Sequence, residues 1–240
     1  MTEPLLKVRG VQTFYGKIQA LKGIDRDVKQ GEIVTLIGSN GAGKSTLMMT
    51  ICGTPRARAG SIHFDGKDIT KLPASRRAEL GLAHAMEGRR IFRQLTVEEN
   101  LQLAWQFGRR RNAWADALER VFVTFPILKD KRRVQAGLLS GGQQQMMIVS
   151  VATICNPSYL LLDEPSLGLA PIIVQEIYTF FTERCREDGT TVLLAEQMAA
   201  LALKVSEHGY VLRQGRVVRE GPSKELVDSG LVAALSSAYL

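Results

Sequence analysis

Cysteine is scarce in this chain and shows no pattern. Cys52, Cys155 and Cys185 are three among 240 residues and share no close spacing. That excludes a disulfide framework or a cysteine-built zinc site and points to a reducing compartment. Long apolar runs are also missing. No stretch approaches the ~18–20 residues that a bilayer crossing needs, so a role at a membrane would depend on partners. The N-terminus lacks a basic segment followed by an apolar signal region. His63 and His84 have no partners at metal-ligand spacing and read as structural. There is no low-complexity linker and no internal repeat. What remains fits one large α/β domain, with or without a subdomain. Its apolar content of 45% allows an ordinary core, and its net charge of +7 fits an anionic ligand or surface. The charge alone leaves ATP, nucleic acid and lipid headgroups open.

The chain is organised around Gly38-Ser39-Asn40-Gly41-Ala42-Gly43-Lys44-Ser45. This is the G-x-x-x-x-G-K-[ST] phosphate-binding pattern, which carries weight only between a strand and a helix. The apolar, β-branched run 33–37 supplies the strand. Thr46 to Cys52 supplies the helix, with Gly53 as its stop. Glycines let backbone N–H groups turn inward around a phosphate, and the helix N-terminus adds partial positive charge. In such a loop Lys44 reaches the β- and γ-phosphates, and the Ser45 hydroxyl holds Mg²⁺.

Before this loop, residues 5–15 read as a strand ending at Tyr15-Gly16, and a second strand runs from near Gly23 to Gly31. Arg26 shares a strand face with Ile24 and Val28. If that face is buried, Arg26 must snorkel or find a carboxylate. After the loop, residues 60–64 form a strand closed by an Asp65-Gly66 hairpin turn. Leu72-Pro73 opens a short helix carrying Arg76 and Arg77, and residues 81–85 form a buried strand. Glu87 to Arg90 is a charged loop. Thr96 and Glu99 form a capping box. From there to about residue 136 the pattern is helical, with basic clusters at 109–111 and 131–133 that read as solvated faces. The α/β pattern then resumes. Residues 159–162 and 190–195 are strands around a helix opened by Pro171, with Val174, Ile177, Tyr178 and Phe181 on one face. Residues 210–218 form a hairpin, and 223–240 read as an amphipathic helix.

Two further constellations carry chemistry. Leu160-Leu161-Leu162-Asp163-Glu164 is an apolar strand delivering two carboxylates at its C-terminal end, the edge where open α/β sheets bind ligands. Asp163 would hold Mg²⁺ opposite Ser45, and Glu164 would polarise the attacking water. Leu139-Ser140-Gly141-Gly142-Gln143 lies between the nucleotide motifs. Ser140 can cap a helix, with Gln143 at the capping-box position, and the glycines let an anion approach that helix end. Met146-Met147 begins the core stripe of this helix.

With these residues together, the chain resembles the ATP-binding subunit of an ABC transporter over nearly its full length. The resemblance implies an α/β P-loop NTPase core, a RecA-like sheet with flanking helices and an antiparallel β subdomain. The core spans residues 1–86 and 158–240, and a helical subdomain is inserted at 87–157. It implies ATP and Mg²⁺ as ligands, with Thr46 joining the loop residues around ATP and Tyr15 stacking on adenine. It further implies a head-to-tail dimer in which the 139–143 motif closes on the nucleotide of the partner subunit.

Residues 87–92, 95–101 and 165–171, with 15–21, narrow the resemblance to the ATPases of branched-chain amino acid importers, with the urea and short-amide branch beside them. Such systems carry two unlike ATPase subunits, two membrane permeases and a periplasmic binding protein. They place the chain at the cytoplasmic face of the inner membrane, with no nucleic-acid partner. Glu87 stands where most relatives have glutamine, near Mg²⁺ and the γ-phosphate. Gln197 stands where most have a histidine, which implies unequal sites in a heterodimer. Ala85-Met86 and Arg93 lack the prolines usual in this branch, which would loosen their loop. Val151 replaces a usual arginine. A soluble ATPase acting on DNA or ribosomes, or a non-catalytic ATP-binding module, are the rival classes. The first usually needs insertions or tandem halves that 240 residues cannot hold, and the Asp163-Glu164 pair speaks against the second.

Overall fold

A computed structural model describes residues 4–88, 90–108, 113–230 and 232. In chain order the strands are β1 (Leu6–Tyr15), β2 (Ile18–Val28), β3 (Ile33–Ile37), β4 (Ala59–Phe64), β5 (Lys67–Asp68), β6 (Leu82–Ala85), β7 (Tyr159–Asp163), β8 (Thr191–Glu196), β9 (His208–Arg213) and β10 (Arg216–Pro222). The helices are α1 (Lys44–Ile51), α2 (Ala74–Glu79), α3 (Val97–Phe107), α4 (Trp114–Thr124), α5 (Pro126–Asp130), α6 (Gly141–Thr153), α7 (Pro171–Asp188), α8 (Ala199–Val205) and α9 (Ser223–Asp228). One sheet is antiparallel in the order β2-β1-β4-β5. The other runs β10-β9-β3-β8-β7-β6, parallel except for β10.

Side-chain alternation along the parallel strands divides the core into two layers. Tyr159 and Leu161 of β7, Leu193 and Ala195 of β8, and Val34 and Leu36 of β3 face α1 and the antiparallel sheet, where they meet Leu47, Met48 and Ile51. Leu160, Leu162, Val192 and Leu194 face the other way, onto Met147 and Val149 of α6 and Ile177 and Phe181 of α7. Continuous burial on both faces explains the unbroken apolar runs of β3, β7 and β8. Each fully buried Leu, Ile or Phe contributes about 1.5–3 kcal/mol.

Four expectations are corrected. The strand expected from Gly23 begins at Ile18, because it pairs with β1 as far as Tyr15↔Ile18. The stretch 131–133 is a turn rather than a helix face, with Arg132 near Glu98 at 3.6 Å. The helix expected over 223–240 is broken after Asp228, where Gly230 takes a left-handed φ of 73°, and Val232 is again helical. Residues 109–111, Arg89 and 233–240 lie outside the described residues.

The fourth correction is Arg26. It is 2% exposed, so it does not snorkel, and none of its guanidinium nitrogens has a hydrogen-bond partner. It stacks instead over the Tyr210 ring, between the two sheets. Other sequence features hold. The Asp65-Gly66 turn has both residues at positive φ and joins Phe64↔Lys67. Thr96 caps α3 in a full capping box. The loop lacking both prolines is tied down by Asn100, whose side chain bonds the Phe92 N–H and the Phe92, Leu95 and Thr96 carbonyls. Val151 packs against the same region, beside Ile91 and Phe92.

Arg77 has a role that its sequence context concealed. Its guanidinium, 1% exposed, donates to the carbonyls of Thr50 and Ile51 at 2.9 and 2.7 Å and to those of Thr70 and Leu72. It therefore satisfies the last carbonyls of α1, at the negative end of that helix. This fixes α1 from its far end, opposite the phosphate-binding loop.

Candidate active site

The loop 38–45 joins β3 to α1, and its backbone is held open from outside. Gly41 and Gly43 adopt φ of 78° and 111°, conformations that side chains resist. A Cβ on Gly43 would come within 3.2 Å of Leu21 and crowd Gly215, and one on Gly38 would meet the Leu212 carbonyl at 2.5 Å. Gly215, at the tip of the β9–β10 hairpin, donates to the Ala42 carbonyl at 2.8 Å and accepts from the Lys22 N–H at 2.9 Å. This buttress was not foreseen, although the turn residues 213–215 were. Its signal is Gly215, where a Cβ would strike the Ala20 carbonyl. Gly43 caps α1 without a side-chain hydrogen bond, which leaves the first amides of α1 facing the loop. Ser39 accepts the Ala42 N–H, closing the turn around Asn40 and Gly41.

Sheet order brings the carboxylates here. β8 lies between β3 and β7, with Ile37 paired to Glu196 and Asp163 to Ala195, so all three strands end at one edge. The alternation that turns Tyr159 and Leu161 toward α1 also turns Asp163 there. The Ser45 hydroxyl bonds Asp163 at 3.1 Å. Lys44, itself buried, pairs with Glu164 at 3.0 Å and donates to the carbonyls of Gly38 and Ser39 at 2.7 and 3.3 Å. Burial is the main reason that the Asp163 carboxyl is pushed up to about 6. Its bond from Ser45 works against the rise, and the nearby Glu87 and Glu164 charges add to it. Glu164 holds a left-handed φ of 49°, a strained setting of ~1–3 kcal/mol for a non-glycine residue, and its N–H is fixed to the Ala195 carbonyl.

The remaining site residues are placed less closely together. Glu87 sits exposed in the turn after β6, near enough for its charge to act on Asp163. Gln197 follows β8 and lines a cavity of about 400 Å³ with Glu164, Ser166 and Gly168. Tyr15 is 45% exposed at the turn end of the β1–β2 hairpin, and the hairpin's later residues Ala20 and Leu21 reach Gly43. Thr46 is the third residue of α1.

The motif 139–143 lies elsewhere. Ser140 caps α6 in a full capping box with Gln143, and Gln144 donates to the Leu139 carbonyl at 3.1 Å. Its glycines line a separate groove with Gly168, Leu169 and Ala170, where Gly142 abuts Ile173. Within this chain the motif thus lines a different groove from the one that Glu164 and Gln197 line.

Residues 21–167 match the sequence family described as ABC transporter. Over 236 residues the chain is 49% identical to the high-affinity branched-chain amino acid transport ATP-binding protein BraG of Pseudomonas aeruginosa, covering 98% of this chain and 99% of that protein. It is 28% identical to the protein BraF of the same description and organism, covering 95% and 96%. Among solved structures, a nucleotide-free ATP-binding cassette from an ABC transporter aligns with a TM-score of 0.84 at 27% identity over 99% of both chains. The α/β architecture with a P-loop, expected from the sequence, is the one these cassettes share. The chain belongs to the ABC transporter family, among its ATP-binding ATPase subunits.

Proposed function

We propose that this chain is the ATP-hydrolysing subunit that drives uptake of branched-chain amino acids through an ABC importer. One observation carries the reading. Lys44, Ser45, Asp163 and Glu164 converge at the mouth of a glycine loop whose helix end is uncapped. The uncapped amides and the Lys44 ammonium suit the phosphates of ATP, with residues 38–46 as their cradle and Tyr15 beside the base.

The donor set also fits Mg²⁺. Ser45 and Asp163 offer hard oxygens 3.1 Å apart. Among the described residues no three His, Cys, Asp or Glu side chains form a metal cage, which suits an ion that keeps water and phosphate oxygens for its other positions. Glu164 pairs with Lys44 there, and the Glu87 and Glu164 charges both act on Asp163. When bound, Mg²⁺ neutralises charge on the phosphate oxygens. Asp163 and Ser45 would hold it, with Glu87 near. Lys44 turns from Glu164 toward the phosphates, which leaves the Glu164 carboxylate free to orient and deprotonate water. Gln197 can donate an amide hydrogen bond to the γ-phosphate but cannot move a proton.

The separation of loop and signature motif within one chain supports a dimer in which Leu139, Ser140, Gly141, Gly142 and Gln143 complete the partner's site. The likeness to both BraG and BraF supports a second, unlike ATPase as that partner. Among the described residues no helix is long and apolar enough to cross a membrane. The likeness to BraG supports a place on permease subunits at the cytoplasmic face, through the helical insert spanning 87–157, with a periplasmic solute-binding protein supplying the cargo. Mg-ATP turnover of the full chain beside Glu164→Gln, with dimer formation followed, tests the reading. A variant that loses turnover yet forms a stable ATP-bound dimer is the expected result. A variant with undiminished turnover refutes the role of Glu164.

A further inference from the structure

A buried carboxylate at the end of β8 has no part in the roles above. Glu196 is 2% exposed. One of its oxygens accepts the Tyr178 hydroxyl at 2.7 Å and the Ser166 N–H at 3.2 Å, and the Ser166 hydroxyl also bonds the carboxylate. Burial pushes its pKa up, against these three bonds. Strand alternation places it in the row of Val192 and Leu194, facing α7, where an aliphatic side chain would continue the core. A charge there is costly, and its bonds reach only two elements: Tyr178 in α7, and the turn that begins at Glu164.

That turn is fastened to β8 at two successive residues. The Ala195 carbonyl receives the Glu164 N–H, and the Glu196 carboxylate receives the Ser166 N–H. Pro165, between them, has no N–H to give. The two bonds thus fix the strained Glu164 backbone from both sides. Glu196 also directly precedes Gln197, and Glu164, Ser166, Glu196 and Gln197 line one cavity.

We propose that Glu196 is a positioning residue for ATP hydrolysis. It clamps the turn at 164–170 to the end of β8, and so holds the Glu164 carboxylate and the Gln197 amide in one frame. This rests on Glu164 acting as the water-orienting base. A misplacement of about 1 Å at such a group costs on the order of 100-fold in rate.

The test compares the full chain, assembled with its partner ATPase where turnover requires it, as wild type, Glu196→Ala, Glu196→Gln, Tyr178→Phe and Glu164→Gln. The readouts are kcat and KM for Mg-ATP, nucleotide Kd, and amide exchange across 164–170. Glu196→Ala is expected to lower kcat about 10–100-fold, with KM and Kd within about threefold and faster exchange confined to that turn. Glu196→Gln keeps an oxygen that can accept the same bonds, so it stays within about threefold of wild type. The proposal is overturned if Glu196→Ala keeps its kcat, if Glu196→Gln falls as far as Glu196→Ala, or if Kd worsens in step with kcat. Should Glu196→Ala not fold, Tyr178→Phe decides: a lower kcat at unchanged KM supports the clamp, and an unchanged kcat overturns it. Full turnover in Glu164→Gln would refute the reading of Glu164, while the exchange data would still show whether Glu196 holds the turn.

Discussion

Arg26→Met is expected to stabilise the protein, which is unusual for a change at a fully buried site. The guanidinium lies between the sheets, 2% exposed, with Nε and both Nη atoms unpartnered. Burial is the main cause of a pKa pushed down to about 10 from 12.5. That difference of roughly 2.5 units corresponds to about 3 kcal/mol against the charged form. Stacking over Tyr210 returns on the order of 2 kcal/mol for a desolvated cation–π contact. The balance is a net cost of about 1 kcal/mol. Methionine keeps most of the aliphatic stem against the Ile24 and Val28 face and removes both the charge and its unmet donors. The gain of about 1 kcal/mol should raise Tm by about 2–4 °C for a chain of this size. Urea denaturation monitored by circular dichroism would measure it, with m unchanged. Arg26→Lys provides the contrast. An ammonium cannot lie flat on the ring and needs its own donors satisfied, so that variant should lose stability. If Arg26→Met instead costs more than ~1 kcal/mol, the guanidinium has a strong partner and the reasoning fails.

Arg77→Met should act in the opposite direction. It removes the donor from the Thr50 and Ile51 carbonyls at the end of α1 and from those of Thr70 and Leu72 before α2, and should cost about 3–5 kcal/mol in the same denaturation assay. Gly215→Ala places a Cβ against the Ala20 carbonyl behind the loop, so it should weaken ATP binding by about tenfold or more in a fluorescent-nucleotide titration. His84 is held to about 4 by burial, with Arg90 adding to the effect, and its Nε2 is buried without a partner. Its folded pKa is depressed, so its contribution is present above pH 6.5 and lost as pH falls from 6.5 toward 4, by at most about 3 kcal/mol. His84→Gln should flatten the stability profile in that window. Asp163 has the opposite sign. Its folded pKa is raised to about 6, so without metal it makes the protein less stable as pH rises from 3.8 to 6. Asp163→Asn should therefore raise metal-free stability at pH 7 by up to ~3 kcal/mol while abolishing turnover, measured by melting and phosphate release.

The parts of the site that follow from local chemistry were legible in the sequence. A strand, a glycine loop and Lys44-Ser45 in register define the phosphate cradle, and an apolar run ending in Asp163-Glu164 needs only a parallel sheet to come beside it. The capping boxes at Thr96 and Ser140 were readable because both partners lie within four residues. Long-range satisfaction was not readable. Arg26 lies on a strand and Arg77 on a short helix, and neither setting tells which side chain is satisfied, yet Arg77 has four carbonyls and Arg26 none. Two of those carbonyls lie 27 and 26 residues before Arg77, at the end of α1, and the ring under Arg26 belongs to Tyr210 in the other sheet. Gly215 and Glu196 were hidden for the same reason. Glu196 left a trace all the same: it continues the alternation of Val192 and Leu194 onto a face where a carboxylate needs a donor, and Tyr178 lay on the buried stripe of the preceding helix α7.

The site is assembled at a cost to the fold, and each strained element is held by a bond from another element. Asp163 is buried near two other carboxylates, Glu164 sits at positive φ, and Lys44 is buried against carbonyls. None of these choices favours stability alone. Asp163 is tied to Ser45 on α1, Glu164 to β8 and to Lys44, and the loop to the β9–β10 turn through Gly215. The order β9-β3-β8-β7 makes this possible, because it sets the loop strand one strand away from the carboxylate strand and surrounds it with neighbours on both sides. Had β3 and β7 been adjacent, no strand end would lie between them to carry Glu196 and Gln197. The end of the spacing strand therefore places Glu196 and Gln197 beside Glu164, and it joins the sheet to the turn at 164–170.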